Sequence, residues 1–174
     1  GVGDRYSELT LLYRNTGEGT FSDATSESGP ALRQLRPARG MAMGDLDGDG
    51  QPEIVIVNMN EPPSLLKNMG THRHALVVSL AGTKSNRSAI GAQVTVQTGK
   101  HRQTKAVLSG GSYLSQNDFS LYFGLGDSAQ VDRLEVRWPS GAAQQWTGIP
   151  SQYKRFLTEE REEIQKQRLA GRMD

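Results

Sequence analysis

From residue 74 onward, apolar and polar positions alternate in short stretches that are separated by Gly, Asn, Asp, Ser and Pro. The alternation is clearest at Val94 and Val96, and again at Leu134, Val136 and Trp138. A period of two places one face of each stretch in a core and the other in water. Turn signals recur about every 8 to 12 residues without a helical period, which predicts an antiparallel β-sandwich or barrel. The predicted strands cover residues 75–80, 92–97, 104–108, 121–125, 131–138, 144–149 and 154–157.

The first 70 residues contain a short internal repeat. Residues 11–17 (LLYRNTG) recur as residues 64–70 (SLLKNMG), which begin 53 positions later, at 64 against 11. A unit that repeats near every 50 residues is typical of a β-propeller blade or another stacked repeat. The alternative is a turn signal that arose twice by chance. Between the copies, residues 40–43 and 53–58 are predicted strands on either side of an acidic, glycine-rich turn.

The charges of residues 159–172 follow a different order. Acids at 159, 160, 162 and 163 come before most of the bases, at 161, 166, 168 and 172. That order suits the dipole of a helix, and Thr158 can serve as its N-cap. Apolar residues are sparse, so this stretch is predicted to be a short charged helix, a solvated tail, or a strip that binds a partner.

The chain of 174 residues divides by charge near Gly70. Residues 1–70 carry ten acids and six bases, a net charge of −4, and the remainder carries nine acids and fourteen bases, a net charge of +5. The total of +1 is too small to predict binding to nucleic acid or to an anionic membrane. No apolar run approaches the roughly 20 residues of a membrane-spanning helix. The absence of Cys excludes disulfides and Cys-ligated metal sites.

The strongest chemical signal is the acidic turn at residues 45–53 (DLDGDGQPE). Asp45, Asp47 and Asp49 alternate, and Gly48 and Gly50 allow the positive φ values that curl the backbone so that the carboxylates converge. Three carboxylates this close repel each other unless a cation lies among them. Calcium accepts such a flexible shell of oxygen ligands, whereas magnesium needs a stricter octahedron and zinc prefers nitrogen or sulfur.

An EF-hand begins in the same way but does not fit the rest of the turn. Its twelfth position is a bidentate Glu, and that position is Ile56 here, inside an apolar run. Glu53, at position 9, is the better closing carboxylate, and the carbonyl oxygen of Gln51 fills position 7. The predicted ligands are therefore Asp45, Asp47, Asp49, Gln51 and Glu53. The alternative is an Asx-type turn whose carboxylates bind only the local backbone.

These residues carry a resemblance to two known families. Residues 15–25 (NTGEGTFSDAT), residues 40–45 (GMAMGD) and the acidic turn resemble the FG-GAP (VCBS-type) repeat of calcium-binding seven-bladed β-propellers. The downstream half resembles the ASPIC/UnbV domain, which commonly follows such repeats. Four ordered strings carry that second resemblance: residues 85–92 (SNRSAIGA), 110–116 (GGSYLSQ), 123–126 (FGLG) and 138–141 (WPSG).

The resemblance implies an all-β chain in three parts: a truncated propeller portion at residues 1–70, an ASPIC/UnbV-like β-sandwich-like domain at 71–158, and the charged helix or tail at 159–174. It also implies that the five predicted ligands bind Ca²⁺ at the base of a blade, with Glu53 where the repeat more often has Asp. Seventy residues form little more than one blade, whereas closed propellers use about four to eight. We therefore expect missing propeller blades, or a protein partner, to cover the open β edges.

The expected function is that of a non-enzymatic, calcium-binding structural or protein-interaction module outside the cytoplasm: secreted, at the cell surface or in the periplasm. It would be the C-terminal part of a larger propeller protein or a subunit of an assembly. One alternative is an accessory or catalytic domain in secondary metabolism or carbohydrate binding, with a surface glycan as ligand. Another is a subunit that docks on a membrane complex through its charged tail.

Other candidate residues are better explained by structure. His72 and His74 share a predicted strand face, but no carboxylate or Cys lies near them in sequence to complete a metal site. Ser140 is a nucleophile only with a base beside it, and it lies in a Pro-Ser-Gly sequence that favours a turn. Trp138 and Trp146 could stack on a sugar, but we expect them to pack in the core or on a sheet.

Overall fold

The computed structural model describes residues 6–70 and 73–170, which fold into an all-β structure with two short 3₁₀ turns, Thr25–Glu27 and Pro30–Arg33. The predicted fold class is confirmed. The strands are β1 (Tyr13–Asn15), β2 (Phe21–Asp23), β3 (Ala38–Gly44), β4 (Glu53–Asn58), β5 (Ser64–Leu66), β6 (His74–Ala81), β7 (Gln93–Thr98), β8 (His101–Ala106), β9 (Leu121–Gly126), β10 (Gln130–Arg137), β11 (Ala143–Pro150), β12 (Tyr153–Thr158) and β13 (Ile164–Arg168).

Residues 6–70 form two small sheets. One is the hairpin of β1 and β2, and the other has the order β3-β4-β5, with the acidic turn joining β3 to β4. Each copy of the repeated sequence contains a short strand, β1 or β5. The two strands pair differently, because β1 pairs with the strand that follows it and β5 with the strand that precedes it. Isolated two-stranded sheets are marginal in water, so this half depends on further packing.

Residues 73–170 form a β-sandwich of two four-stranded sheets, ordered β13-β12-β6-β9 and β11-β10-β7-β8. Alternate residues of the strands meet between the sheets, as the sequence pattern predicts. The strand pairs of this sandwich are antiparallel except β6 with β12, which is parallel. The most deeply buried core side chains include Leu76, Val78, Val94, Val96, Phe123, Val131, Leu134, Val136 and Leu157.

Of the alternatives predicted for residues 159–172, the charged helix is wrong: Ile164–Arg168 is strand β13, which pairs antiparallel with β12. Ile164 packs against the core, and Leu169 is buried just after the strand. Charge order along a helix contributes only a few tenths of a kcal/mol per pair. A ladder of backbone hydrogen bonds to the edge of β12, together with burial of two apolar side chains, outweighs that preference. As far as the structure describes this stretch, to residue 170, it is thus part of the sandwich rather than a free tail.

Glu159, which follows β12 directly, is a buried acid of the sandwich. Its side chain is 1% exposed, and its two carboxylate oxygens accept hydrogen bonds from the backbone N–H groups of residues 83–85 and from the hydroxyls of Ser85 and Ser140. Burial alone would raise the pKa of this carboxyl, but the bonds from Ser140, Ser85 and Thr83 outweigh burial and hold the pKa at about 2. Ser85 and Ser140, which belong to two of the strings that carry the resemblance, therefore supply three of the five donors to one buried anion, and residues 83 and 84 supply the other two.

The two halves of the chain meet along β3. Residues 112–118, which precede β9, lie along the edge of β3 that β4 does not cover. The N–H of Met41 donates to Ser112 Oγ (3.1 Å), the N–H of Met43 donates to Asn117 Oδ1 (3.0 Å), and the N–H of Asp118 donates to the carbonyl of Met43 (2.9 Å). These bonds satisfy an otherwise open strand edge and fix the acidic turn, which follows β3 directly, against the sandwich.

Gly40→Ala is expected to loosen this contact. A Cβ at Gly40 would lie 2.4 Å from Ser115 Oγ and 2.4 Å from the carbonyl oxygen of Tyr113, so the backbone of residues 112–118 must move. We expect a loss of about 1 to 3 kcal/mol in the free energy of unfolding, measured by urea denaturation. Gly124→Ala is the matched control because a Cβ there meets nothing within 4 Å. Equal effects of the two substitutions would contradict the contact.

Candidate metal site

The acidic turn folds around its own carboxylates. Asp45 Oδ1 accepts the N–H of Gly48 (2.8 Å) and Asp45 Oδ2 accepts the N–H of Gly50 (3.0 Å). Asp47 Oδ1 accepts the N–H of Asp49 (3.3 Å), and Asp49 Oδ1 accepts the N–H of Gln51 (2.7 Å). Gly48 and Gly50 have φ values of +78° and +86°, which L side chains rarely adopt. The local bonds of an Asx-type turn are thus present, and they draw the side chains to one side.

The structure brings Asp45, Asp47 and Asp49 together. Each offers a carboxylate oxygen, and these oxygens lie within 4.8 Å of one another. Burial raises the pKa of Asp45, with a further contribution from the charges of Asp49 and Asp47; the N–H groups of Gly50 and Gly48 oppose the shift. Because the three carboxylates lie so close together, they concentrate negative charge at one point of the turn, and this charge favours binding of a cation.

Glu53 lies beside this cluster, at the first position of β4, and is 4% exposed. Its Oε2 accepts the N–H of Leu46 (2.9 Å), whereas Oε1 is buried and has no hydrogen-bond partner among the described residues. A buried carboxylate oxygen without a partner is costly, and a bound cation would remove that cost. Glu53 is not among the acids whose oxygens converge, and the Gln51 carbonyl stays a predicted ligand. The donor set as a whole, all oxygen and mostly anionic, fits Ca²⁺.

Lys67 is a part of the site that the sequence did not indicate. Lys67 follows β5 directly, and its Nζ lies 2.6 Å from Asp47 Oδ2. The hydrogen bond to Asp47 raises the pKa of Lys67, and the charges of Asp47, Asp49 and Glu53 raise it further. The same bond lowers the pKa of Asp47. An ammonium group thus neutralises part of the cluster, so a bound cation has to compete with it for Asp47.

Residues of the sandwich bind the backbone of the acidic turn. The N–H of Asp45 donates to Tyr122 Oη (3.1 Å), and that hydroxyl donates to Asp118 Oδ2 (2.6 Å). Burial, followed by the hydrogen bond to Asp118, raises the pKa of Tyr122, so the phenol stays protonated. On the other side, the N–H of Ala170 donates to the carbonyl of Gly48 (2.8 Å). No local signal marks these residues, because even Asp118 lies 65 positions beyond Glu53, the last residue of the turn (118 against 53).

The remaining sequence candidates have structural roles where they are described. His72 lies outside the described residues, and His74 Nδ1 is hydrogen-bonded to Ser151 Oγ (2.8 Å). Ser140 donates to Glu159, and a carboxylate whose pKa is about 2 is too weak a base to activate a hydroxyl. Trp138 is 3% exposed and packs in the core, where it cannot stack on a sugar. Trp146 packs against that core and donates from Nε1 to the carbonyl of Glu162 (2.8 Å).

Comparison with known families confirms both resemblances. Residues 2–56 match the family model for the FG-GAP-like repeat, and residues 82–164 match the family model described as ASPIC and UnbV. The chain thus carries an FG-GAP-like repeat followed by an ASPIC/UnbV domain. In the residues that the structure describes, no helix is long and apolar enough to cross a membrane.

Among curated proteins, the chain is similar to Cartilage acidic protein 1. It is 33% identical to the Homo sapiens protein over 81 residues, which are 47% of this chain and 12% of that protein. It is 35% identical to the Xenopus tropicalis protein over 69 residues, 40% of this chain and 10% of that protein. The matched region is 31% identical in Mus musculus, again over 47% of this chain and 12% of the relative. The chain therefore matches only about a tenth of the length of these relatives.

Proposed function

We propose that this chain is a calcium-binding structural and protein-interaction module that works outside the cytoplasm, within a larger propeller protein or assembly. The observation that carries the proposal is the convergence of Asp45, Asp47 and Asp49 beside the buried, unpartnered Oε1 of Glu53. Bound calcium would supply positive charge to this oxygen cluster. Because a ligand that binds only the folded state stabilises it by mass action, the ion would support the fold rather than catalyse a reaction.

A location outside the cytoplasm suits such a site. Extracellular modules bind calcium with affinities of about 10⁻⁴ to 10⁻³ M. Two of the three clustered acids are half-buried and one is exposed, so a weak, open site is what the geometry supports. The similarity to Cartilage acidic protein 1 is consistent with this proposal.

The hydrogen bonds of three acids in the sandwich support a non-enzymatic role. Glu159 is held by five donors, Asp118 accepts from Tyr122, and Asp132 accepts the N–H of Gly99. Each of these carboxylates is thus engaged in a structural bond. We propose that the domain acts by binding rather than by acid–base chemistry.

The partner surface that we propose lies on residues 6–70. Twelve of the fifteen exposed large apolar side chains of the described residues occur before residue 70, and a concentration of this kind marks an interaction site. They are Tyr6, Leu9, Leu11, Leu12, Tyr13, Phe21, Leu35, Leu46, Val57, Met59, Leu65 and Met69. Further propeller blades, or another protein, would cover this surface together with the β1–β2 hairpin and the outer edge of β5.

Calorimetric titration with calcium tests the metal proposal. We expect one site per chain with a dissociation constant at or below the millimolar range, and weaker binding of magnesium, which tolerates an irregular oxygen shell poorly. The chain should also unfold at a higher temperature in calcium than in a chelator. No uptake of calcium by the wild-type chain would overturn the proposal.

Lys67→Met is expected to tighten calcium binding, roughly three- to tenfold, because it removes a positive charge that repels the ion and competes for Asp47. Titration calorimetry at constant ionic strength measures the change. Lys100→Met, at an exposed position in the turn between β7 and β8, removes the same charge at a distance from the site and should leave the affinity unchanged. Equal or weaker binding by Lys67→Met would show that Lys67 does not compete with the ion.

A further inference from the structure

The acidic turn is held by the sandwich at two separate places. At its start, Tyr122 accepts the N–H of Asp45 and is itself anchored to Asp118. In its middle, the carbonyl of Gly48 accepts the N–H of Ala170. Beside that bond, Leu169 packs so closely on Gly50 that an added Cβ would lie 2.4 Å from Leu169 Cδ1. The turn therefore lies between β9 and the end of β13.

These contacts depend on the curl of the turn. The atoms that the sandwich binds are backbone groups of the turn, and their directions are set by the positive φ values at Gly48 and Gly50 and by the bonds of Asp45 to both glycines. Repulsion among the three aspartates favours opening of the curl. A cation among them favours the curled form, and with it the orientation that meets Tyr122 and Ala170.

Conversely, the contacts with the sandwich favour binding of a cation in the turn. Tyr122 and Leu169 hold the turn curled whether or not a cation is present, which reduces the cost of ordering it when the ion binds. Leu169 follows β13 directly and is buried by this packing. For the two described residues after β13, the contacts that hold them include the packing on Gly50, the bond from Ala170 to Gly48 and the bond from the N–H of Leu169 to the carbonyl of Gln152 (3.3 Å).

We propose that cation binding in the acidic turn and docking of the sandwich on the blade are coupled, with Tyr122 and Leu169 as positioning residues for the metal site. The inference rests on the proposed calcium function. The coupling is reciprocal: if docking strengthens calcium binding by some factor, calcium strengthens docking by the same factor. Coupling of this kind typically amounts to about 5-fold or more in affinity.

The test measures both directions in the full chain. Tyr122→Phe and Leu169→Ala should each weaken calcium binding about fivefold or more in calorimetric titrations. Tyr153→Phe and Leu108→Ala are the matched controls: they make the same chemical changes at residues of the sandwich outside the acidic turn and the segment 112–118, and should not alter the affinity. In the wild-type chain, hydrogen exchange of the Ala170 amide should be slower in calcium than in a chelator. This measurement needs no variant.

The outcomes separate the inference from the function on which it rests. Absence of calcium binding by the wild-type chain would overturn both. Normal calcium binding by the wild type and by both positioning variants, with exchange at Ala170 that is the same with and without calcium, would overturn the coupling alone. Weakened binding in Tyr122→Phe, with slower exchange at Ala170 on adding calcium, supports it.

Discussion

Replacing Asp47 and Asp49 together with Asn is expected to abolish calcium binding up to millimolar concentrations, a loss of more than about 100-fold, because ligand charge sets affinity in such sites. Asn keeps a side-chain oxygen at each position, so the hydrogen bonds to the N–H groups of Asp49 and Gln51 can persist. The fold should therefore survive. The ion pair of Asp47 with Lys67 is lost, but exposed pairs contribute little to stability.

Titration calorimetry and the calcium-dependent rise in melting temperature measure this effect. The matched control is the double variant Glu18→Gln and Glu163→Gln, which removes two exposed acids outside the turn and should bind calcium like the wild type. Retention of wild-type affinity by the Asp47 and Asp49 double variant would show that calcium binds elsewhere or that the turn is only an Asx-type structure.

Glu159→Gln is expected to destabilise the sandwich more than substitution of any exposed acid. The carboxylate accepts bonds from three consecutive backbone N–H groups, and a Gln side chain would direct its own N–H₂ group into this ring of donors. The melting temperature at neutral pH should fall by several degrees. Glu160→Gln is the matched control, since Glu160 is the exposed neighbour and makes a surface ion pair with Lys84.

The pH dependence gives a second measure of the same carboxylate. The pKa of Glu159 is about 2 in the folded chain, against an ordinary value of 4.5. A lowered folded pKa contributes stability that is fully present above 4.5 and is lost as the pH falls toward 2. Urea denaturation over this range should show a smaller pH dependence for Glu159→Gln than for the wild type. Identical profiles for the two would contradict the role assigned to Glu159.

The sandwich strands could be predicted from sequence because each depends on local alternation. In strand β10, Leu134 and Val136 point into the core, and the alternation of neighbouring residues is enough to predict both the strand and its buried face. The acidic turn could be predicted for the same reason, since the spacing of Asp45, Asp47 and Asp49 fixes their convergence. In both cases the relevant contacts lie within a few residues.

What the sequence did not reveal depends on contacts between distant residues. Strand β13 forms because β12 offers an edge, and the order of charges in 159–172 gives no sign of that edge. The parallel pairing of β6 with β12 joins residues that are 77 apart, such as Leu76 with Tyr153. The hydrogen bonds of Tyr122 and Lys67 to the acidic turn likewise depend on the folded structure, and no local sequence pattern predicts them.

Calcium binding by the acidic turn can be observed in a crystal structure of the chain grown in calcium, with anomalous scattering data. We expect an anomalous peak within about 2.3 to 2.6 Å of oxygens from Asp45, Asp47 and Asp49, with Lys67 displaced from Asp47. An ordered turn in millimolar calcium that shows no such peak and keeps Lys67 on Asp47 would contradict it.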